Sequence, residues 1–318
     1  PTSRCIKFGL QKKCIVSLFG IIAPFLILRR IFPKLSWIHI KVQDFIMGIF
    51  MRKCDICISL TGYVYAPRIA QKKGAIIIME RGSKHILEQK KILEKNPHKK
   101  NEAIPNRNIK CNLKAYQFAN FISVASQHVK ESFLLHQYPE NRIFVNPYGV
   151  DLSMFKPLPN IPKKYDVIMV GGWGYEKGCD LIVEAIRKTN YSFIHVGSIK
   201  DVDFPQEKNF THIDPVDQSK LIEYYNQAKV FILPSRQDGF GMVLSQALAC
   251  NLPIIGSNNC GAPDLKKMVE LPEYITIIKD YTADAIVTAI HTAIKNYEQL
   301  GERIYAGNAI ENLTWEAY

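Results

Sequence analysis

From about residue 55 to the end, short runs of β-branched residues alternate with longer amphipathic stretches, and this alternation restricts the fold more than any other feature of the chain. Parallel strands need a crossover connection, usually a helix, so repeated strand and helix signals predict an α/β architecture with parallel sheets. In the first half, strands are expected at 55–60, 75–80, 121–125 and 142–146, with helices at 66–73 and 127–136. Residues 90–110 are basic and broken by Pro97 and Pro105, and read as a solvated loop or a membrane-facing flap. In the second half, strands are expected at 165–170, 191–196, 230–234 and 253–256, and helices at 179–189, 218–228, 242–250 and 284–297.

A chain of 318 residues is long enough for two hydrophobic cores. Prolines at 147, 157, 159 and 162 mark the join, giving domains at 1–150 and 165–318 with 151–164 between them. Charge divides along the same line. Residues 1–150 hold 25 Lys and Arg against 8 Asp and Glu, a net of +17, whereas 151–318 carry a net of −5. An imbalance of this size points the first half toward an anionic surface or ligand, with plain solubility as the simpler account. No recognisable module with interleaved aromatic residues supports a nucleic-acid partner.

The eight cysteines are scattered, without the paired spacing of a disulfide framework or a zinc site, and fit a reducing cytoplasm. Cys54 and Cys57 form one C-x-x-C with no second pair, so no metal site is expected. Residues 14–28 are apolar and flanked by basic residues. The run falls short of the roughly 20 residues a spanning helix needs, and Pro24 interrupts it, so a buried helix or a one-sided membrane contact is expected.

Ligands in open parallel sheets sit beyond the carboxyl ends of the strands, so the strand-to-helix turns carry the chemistry. Two turns in the second half stand out. Residues 170–178 (VGGWGYEKG) follow a strand and place Gly172 and Lys177 before a helix, a backbone that can approach an anion and an ammonium that can meet it. Taken alone, a tight turn with a solvated lysine fits equally well. Residues 233–253 (LPSRQDGFGMVLSQALACNLP) put Asp238 ahead of Gly241, Met242 and Val243, the opening of a helix whose first amides are unpaired, with Gln246 less than two turns further on. An acidic helix cap beside a surface glutamine is the plainer reading of those residues.

These two segments resemble the donor-binding half of glycosyltransferase family 4, a large family of retaining enzymes with the GT-B fold, two Rossmann-like domains facing across a cleft. Residues 146–155 (NPYGVDLSMF) resemble its crossover motif, and 314–318 (TWEAY) its C-terminal motif. The likeness runs from about residue 55 to the end, and the family's usual first strand and Gly-rich loop are not found, which suggests an incomplete N-terminus. By that resemblance, Asp238 and Gln246 stand at the two glutamates of the E-x7-E motif, contacting the donor sugar and the ribose. Lys177 and the backbone of Gly241, Met242 and Val243 hold the diphosphate. Three positions depart from the pattern: both glutamates are replaced, and Gly172 stands where the family has arginine. Gln can still hydrogen-bond a hydroxyl, and Asp keeps the charge on a shorter arm. Arg236 or Arg81 is the expected source of the missing charge.

Residues 80–85 (ERGSKH) follow a strand and resemble a turn in some family members, which nominates Arg81 and His85 for contact with acceptor or donor sugar. The resemblance implies transfer of a sugar from a nucleoside-diphosphate sugar to a hydroxyl of a glycan or lipid-linked acceptor in cell-surface polysaccharide or glycolipid synthesis. It implies retention of configuration and no metal or other cofactor. The +17 charge of residues 1–150, the apolar run at 14–28 and the scattered cysteines add the expectation of a cytoplasmic protein in peripheral contact with the anionic inner membrane face. A sugar-nucleotide epimerase or hydrolase on the same fold, or a homologue that binds without catalysis, are the other readings.

Overall fold

The computed structural model describes Pro24 and residues 36–98, 104–301 and 303–318. Apart from Pro24, the apolar run at 14–28 lies outside them. In chain order the first half holds α1 (Ser36–Ile49), β1 (Ile56–Leu60), α2 (Tyr65–Lys72), β2 (Ile76–Arg81), α3 (Ile86–Leu93), α4 (Asn106–Phe118), β3 (Phe121–Val124), α5 (Gln127–Leu134) and β4 (Ile143–Val145). The described residues pack as two compact units, those up to 80 together with 105–123, and those of 81–104 together with 124–318.

In the first unit β1 and β2 pair in parallel, Ile56 opposite Ile76 and Leu60 opposite Glu80, and β3 joins them in the order β1-β2-β3. Ile77 and Met79 on β2 are fully buried, while Ile56, Ile58 and Leu60 on β1 stay largely exposed. Helix α2 has no cap from its own N-cap residue. The buried Asp44 carboxylate of α1 takes its place, accepting from the Val64, Tyr65 and Ala66 amides at 2.9, 2.8 and 2.9 Å.

The expectation of a loop over 90–110 needs correction, because 90–93 belong to α3 and 106–110 to α4. Lys91 pairs with Glu88 at 2.7 Å and Lys90 with Glu94 at 3.2 Å, spacings that support a helix face. On α4, Ile109, Asn112, Ala115 and Tyr116 are buried in one stripe, a helical period that the surrounding basic residues obscure in the sequence.

The second half adds β5 (Tyr165–Val170), α6 (Cys179–Arg187), β6 (Phe193–Val196), β7 (Phe210–Ile213), α7 (Leu221–Gln227), β8 (Ala228–Leu233), α8 (Met242–Ala249), β9 (Ile254–Ser257), α9 (Ala262–Met268), β10 (Ile275–Ile278) and α10 (Ala283–Leu300). β7, α9 and β10 were not expected from the sequence. They are short, and β7 (FTHI) and α9 (APDLKKM) mix polar and apolar residues without a clear period. The six strands form one sheet in the order β10-β9-β8-β5-β6-β7, every neighbouring pair parallel. Counted from β5 this is the doubly wound order, and its topological switch point falls between β5 and β8. Val167, Ile168, Phe231, Ile232, Ile254 and Ile255 fill the sheet's centre at 0% exposure.

Candidate anion-binding site

Because β5 and β8 are neighbours, the two turns singled out in the sequence open at the same edge of the sheet. After β5, a 3-10 turn at Tyr175–Lys177 passes into α6 through Gly178, whose φ of 74° is the left-handed conformation that favours glycine. After β8, Gly241 has φ 82° and caps α8. The Leu244 amide donates to the Gly241 carbonyl at 2.8 Å, while among the described residues no protein acceptor meets the Met242 or Val243 amide. Met242 is 40% exposed, so this helix start is open to a ligand.

Lys177 and Asp238 meet directly, Nζ to Oδ2 at 2.6 Å, with side chains 19% and 18% exposed. Burial works to lower the Lys177 pKa, but the Asp238 carboxylate, helped by Glu176, more than reverses that and holds it above its ordinary value. One N–H of the ammonium is used by Asp238, leaving two donors for a ligand. The Asp238 amide donates to the Asn259 carbonyl at 2.8 Å, and Asn259 Oδ1 accepts from Lys84 Nζ at 2.7 Å.

Gln246 is buried on α8, where its Oε1 accepts from the Tyr225 hydroxyl at 2.9 Å. Tyr225 in turn packs edge-on against Phe155, the phenylalanine of the crossover motif, with ring centres 5.9 Å apart. That motif also meets the C-terminal one. The Val150 amide donates to the Leu313 carbonyl at 2.7 Å, and Asn146 Nδ2 to the Tyr318 carbonyl at 3.2 Å. Gly172 contributes backbone alone.

Arg236 does not supply a spare charge here. Its guanidinium forks onto Asp180 at 2.6 and 2.7 Å, stacks 3.8 Å over the Tyr175 ring and donates to the Tyr175 carbonyl. Arg81 is likewise engaged within its own turn, donating to the Lys84 carbonyl at 3.1 and 3.0 Å and to Gln89 Oε1 at 2.6 Å. His85 is the N-cap of α3, 4% exposed, with Nδ1 accepting from the Leu87 amide and its ring stacked 4.1 Å from His136. Burial first, then His136 and Arg81, push its pKa down to about 3, so the ring is neutral near pH 7. The structure therefore brings Lys177, Asp238, Gly241, Met242 and Val243 together, and gives Arg81 and His85 roles within the 81–89 turn.

Two residues escaped the sequence reading. Lys84, inside the quoted turn, reaches Asn259, and burial lowers its pKa against the pull of Glu88 and Glu131. His128 is 9% exposed beside the backbone of Asp238 and Gly239, and burial, then Lys84, push it down to about 3. Only the tertiary contacts mark either one. Among the described residues, no group of three His, Cys, Asp or Glu side chains is arranged to hold a metal, and no helix is long and apolar enough to cross a membrane.

Residues 153–309 match the model of the family described as glycosyl transferases group 1. A probable sucrose-phosphate synthase of Thermosipho melanesiensis is 25% identical over 230 residues, 64% of this chain and 53% of that protein. The chain thus spans about half the length of this curated relative. Among solved structures, the sucrose-phosphate synthase of Thermosynechococcus elongatus aligns with a TM-score of 0.66 at 17% identity, covering 90% of this chain and 76% of the other. Anabaena Alr3699/HepE, solved with UDP and glucose, aligns with a TM-score of 0.65 at 14% identity, covering 94% and 80%. The fold is GT-B, and residues 153–309 are similar to the glycosyl transferases group 1 family.

Proposed function

We propose that this protein transfers a sugar from a nucleoside-diphosphate sugar to a hydroxyl of a glycan or lipid-linked acceptor, with retention of anomeric configuration. The observation that carries the reading is the Lys177–Asp238 pair beside the open amides of Met242 and Val243, at the switch point of a doubly wound sheet. The group 1 match and the similarity to a probable sucrose-phosphate synthase support it. So does the UDP bound to a protein of the same fold.

The barrier in such a transfer is the negative charge that develops on the departing diphosphate. Donors already fixed in place meet that charge without reorganising, which is why they favour the transition state. In this reading Lys177 and the α8 amides supply them with no metal required. Asp238 orients the ammonium and faces the donor sugar, and Gln246, fixed by Tyr225, faces the ribose. Residues 165–318 form the donor side and residues 1–150 the acceptor side. The basic first half docks on an anionic membrane surface where a lipid-linked acceptor lies. Flotation with liposomes of neutral and anionic composition tests that part, and equal recovery with both would remove it.

For the reaction itself, a panel of uridine, guanosine and adenosine diphosphate sugars is screened for thermal stabilisation, and the stabilising donor is then supplied with acceptors. Failure of every donor to raise the melting temperature would overturn the proposal. A second reading, binding without transfer, is favoured by the placement of His85 as a buried helix cap. Stabilisation by a donor with no product on any acceptor would select it.

A further inference from the structure

The cradle described above is short of positive charge. Lys177 is offset by Asp238, and Arg236 by the two oxygens of Asp180. The start of α8 offers only about half a unit of charge. A nucleoside diphosphate carries more negative charge than that, and the resemblance places an arginine where this chain has Gly172.

Lys200 lies at that position in space. A Cβ built on Gly172 would overlap the Lys200 side chain, lying 2.8 Å from Nζ and closer still to Cε. The Lys200 stem therefore crosses the face of Gly172, in room that a side chain at 172 would take. The two loops are locked side by side. The Trp173 amide donates to the Ser198 carbonyl at 2.8 Å, the Lys200 amide donates to the Trp173 carbonyl at 2.9 Å, and Trp173 bridges Ile199. The neighbouring acid is already engaged: Asp201 accepts from the Tyr175 amide at 2.9 Å and from Asn96 Nδ2 at 2.8 Å. Lys200 itself is exposed, and among the described residues its ammonium has no ion-pair partner.

We propose that Lys200 is a second cation of the diphosphate site, carried by the loop after β6 and passed across Gly172 into the position an arginine side chain at 172 would otherwise reach. Glycine at 172 is then the complement of Lys200, because the stem needs the space. The inference rests on the proposed donor site and adds a specific residue to it.

The test is calorimetric titration of the whole chain with UDP, GDP and ADP. Lys200→Ala weakens the nucleotide that binds by about 10-fold or more, the range of a lost charge-assisted hydrogen bond. Lys200→Arg stays within a few-fold of the unsubstituted protein. Adding Gly172→Arg to Lys200→Ala recovers most of the loss, since the new side chain enters the vacated room. Binding by Lys200→Ala at full affinity, in a protein whose Lys177→Ala variant loses it, would overturn the role of Lys200 and leave the donor site standing. Failure of the unsubstituted protein to bind any of the three would overturn both.

Discussion

Lys177→Ala separates a structural ion pair from a ligand site. Removing one partner of a fully buried pair costs about 3–5 kcal/mol, because the other charge is left unmatched, whereas an exposed pair contributes about 0–1 kcal/mol. With both side chains about four-fifths buried, the expected loss is about 2–3 kcal/mol after discounting for solvent. At about 2–4 °C per kcal/mol for a domain of this size, the melting temperature falls by roughly 4–12 °C. Lys177→Ala with Asp238→Ala leaves no unmatched charge and recovers most of that loss. Nucleotide-sugar binding and turnover do not recover, since the ammonium is absent in both variants, and turnover drops about 10²-fold or more, as for a lost oxyanion donor. Scanning fluorimetry reads stability and titration calorimetry reads binding. A single variant that melts with the unsubstituted protein would refute the pair. Full donor affinity in both variants would refute the cradle.

Burial holds His85 and His128 at about 3 and His195 at about 4, below the ordinary 6.5. Their neutral forms favour the folded state above pH 6.5, and each costs stability as pH falls from 6.5 toward its folded value, by about 1.4 kcal/mol per pH unit. His128→Gln should flatten the fall of melting temperature with acid, and an unchanged slope would contradict the neutral, buried ring. Tyr225→Phe keeps the packing but strips Gln246 Oε1 of its donor, an expected loss of about 1–3 kcal/mol together with a raised donor KM; a variant unaltered in both would remove Gln246 from the site. Turnover should survive prolonged treatment with EDTA, and loss restored by a divalent cation would show that the diphosphate charge is met by a metal.

The α/β class and most of the strands were legible because parallel strands buried on both faces must be apolar runs, and crossovers must be amphipathic. The expected strand at 165–170 matches β5, the one at 55–60 differs from β1 by one residue at its start, and the one at 75–80 is offset from β2 by one residue at each end. Lys177, Asp238 and the 241–243 helix start could be read from turn chemistry and from likeness to a known motif. Helices over 86–93 and 106–118 could not, since lysines interrupt their apolar stripes, and in the first the pairing of Lys90 and Lys91 with Glu94 and Glu88 exists only once the helix has formed. Partnership between side chains far apart in sequence was also beyond reach. Lys177 and Asp238 are 61 positions apart, and they meet because β5 and β8 pair at the centre of the sheet. Arg236 looked free in the sequence and is bound to Asp180. Lys200 stood outside both motifs and crosses Gly172. The sequence by itself determined which loops carry polar chemistry, because local backbone and periodicity are written locally. Strand order alone decided which charges are paired and which remain to meet a ligand, because Coulomb energies depend on distances that only the folded sheet sets.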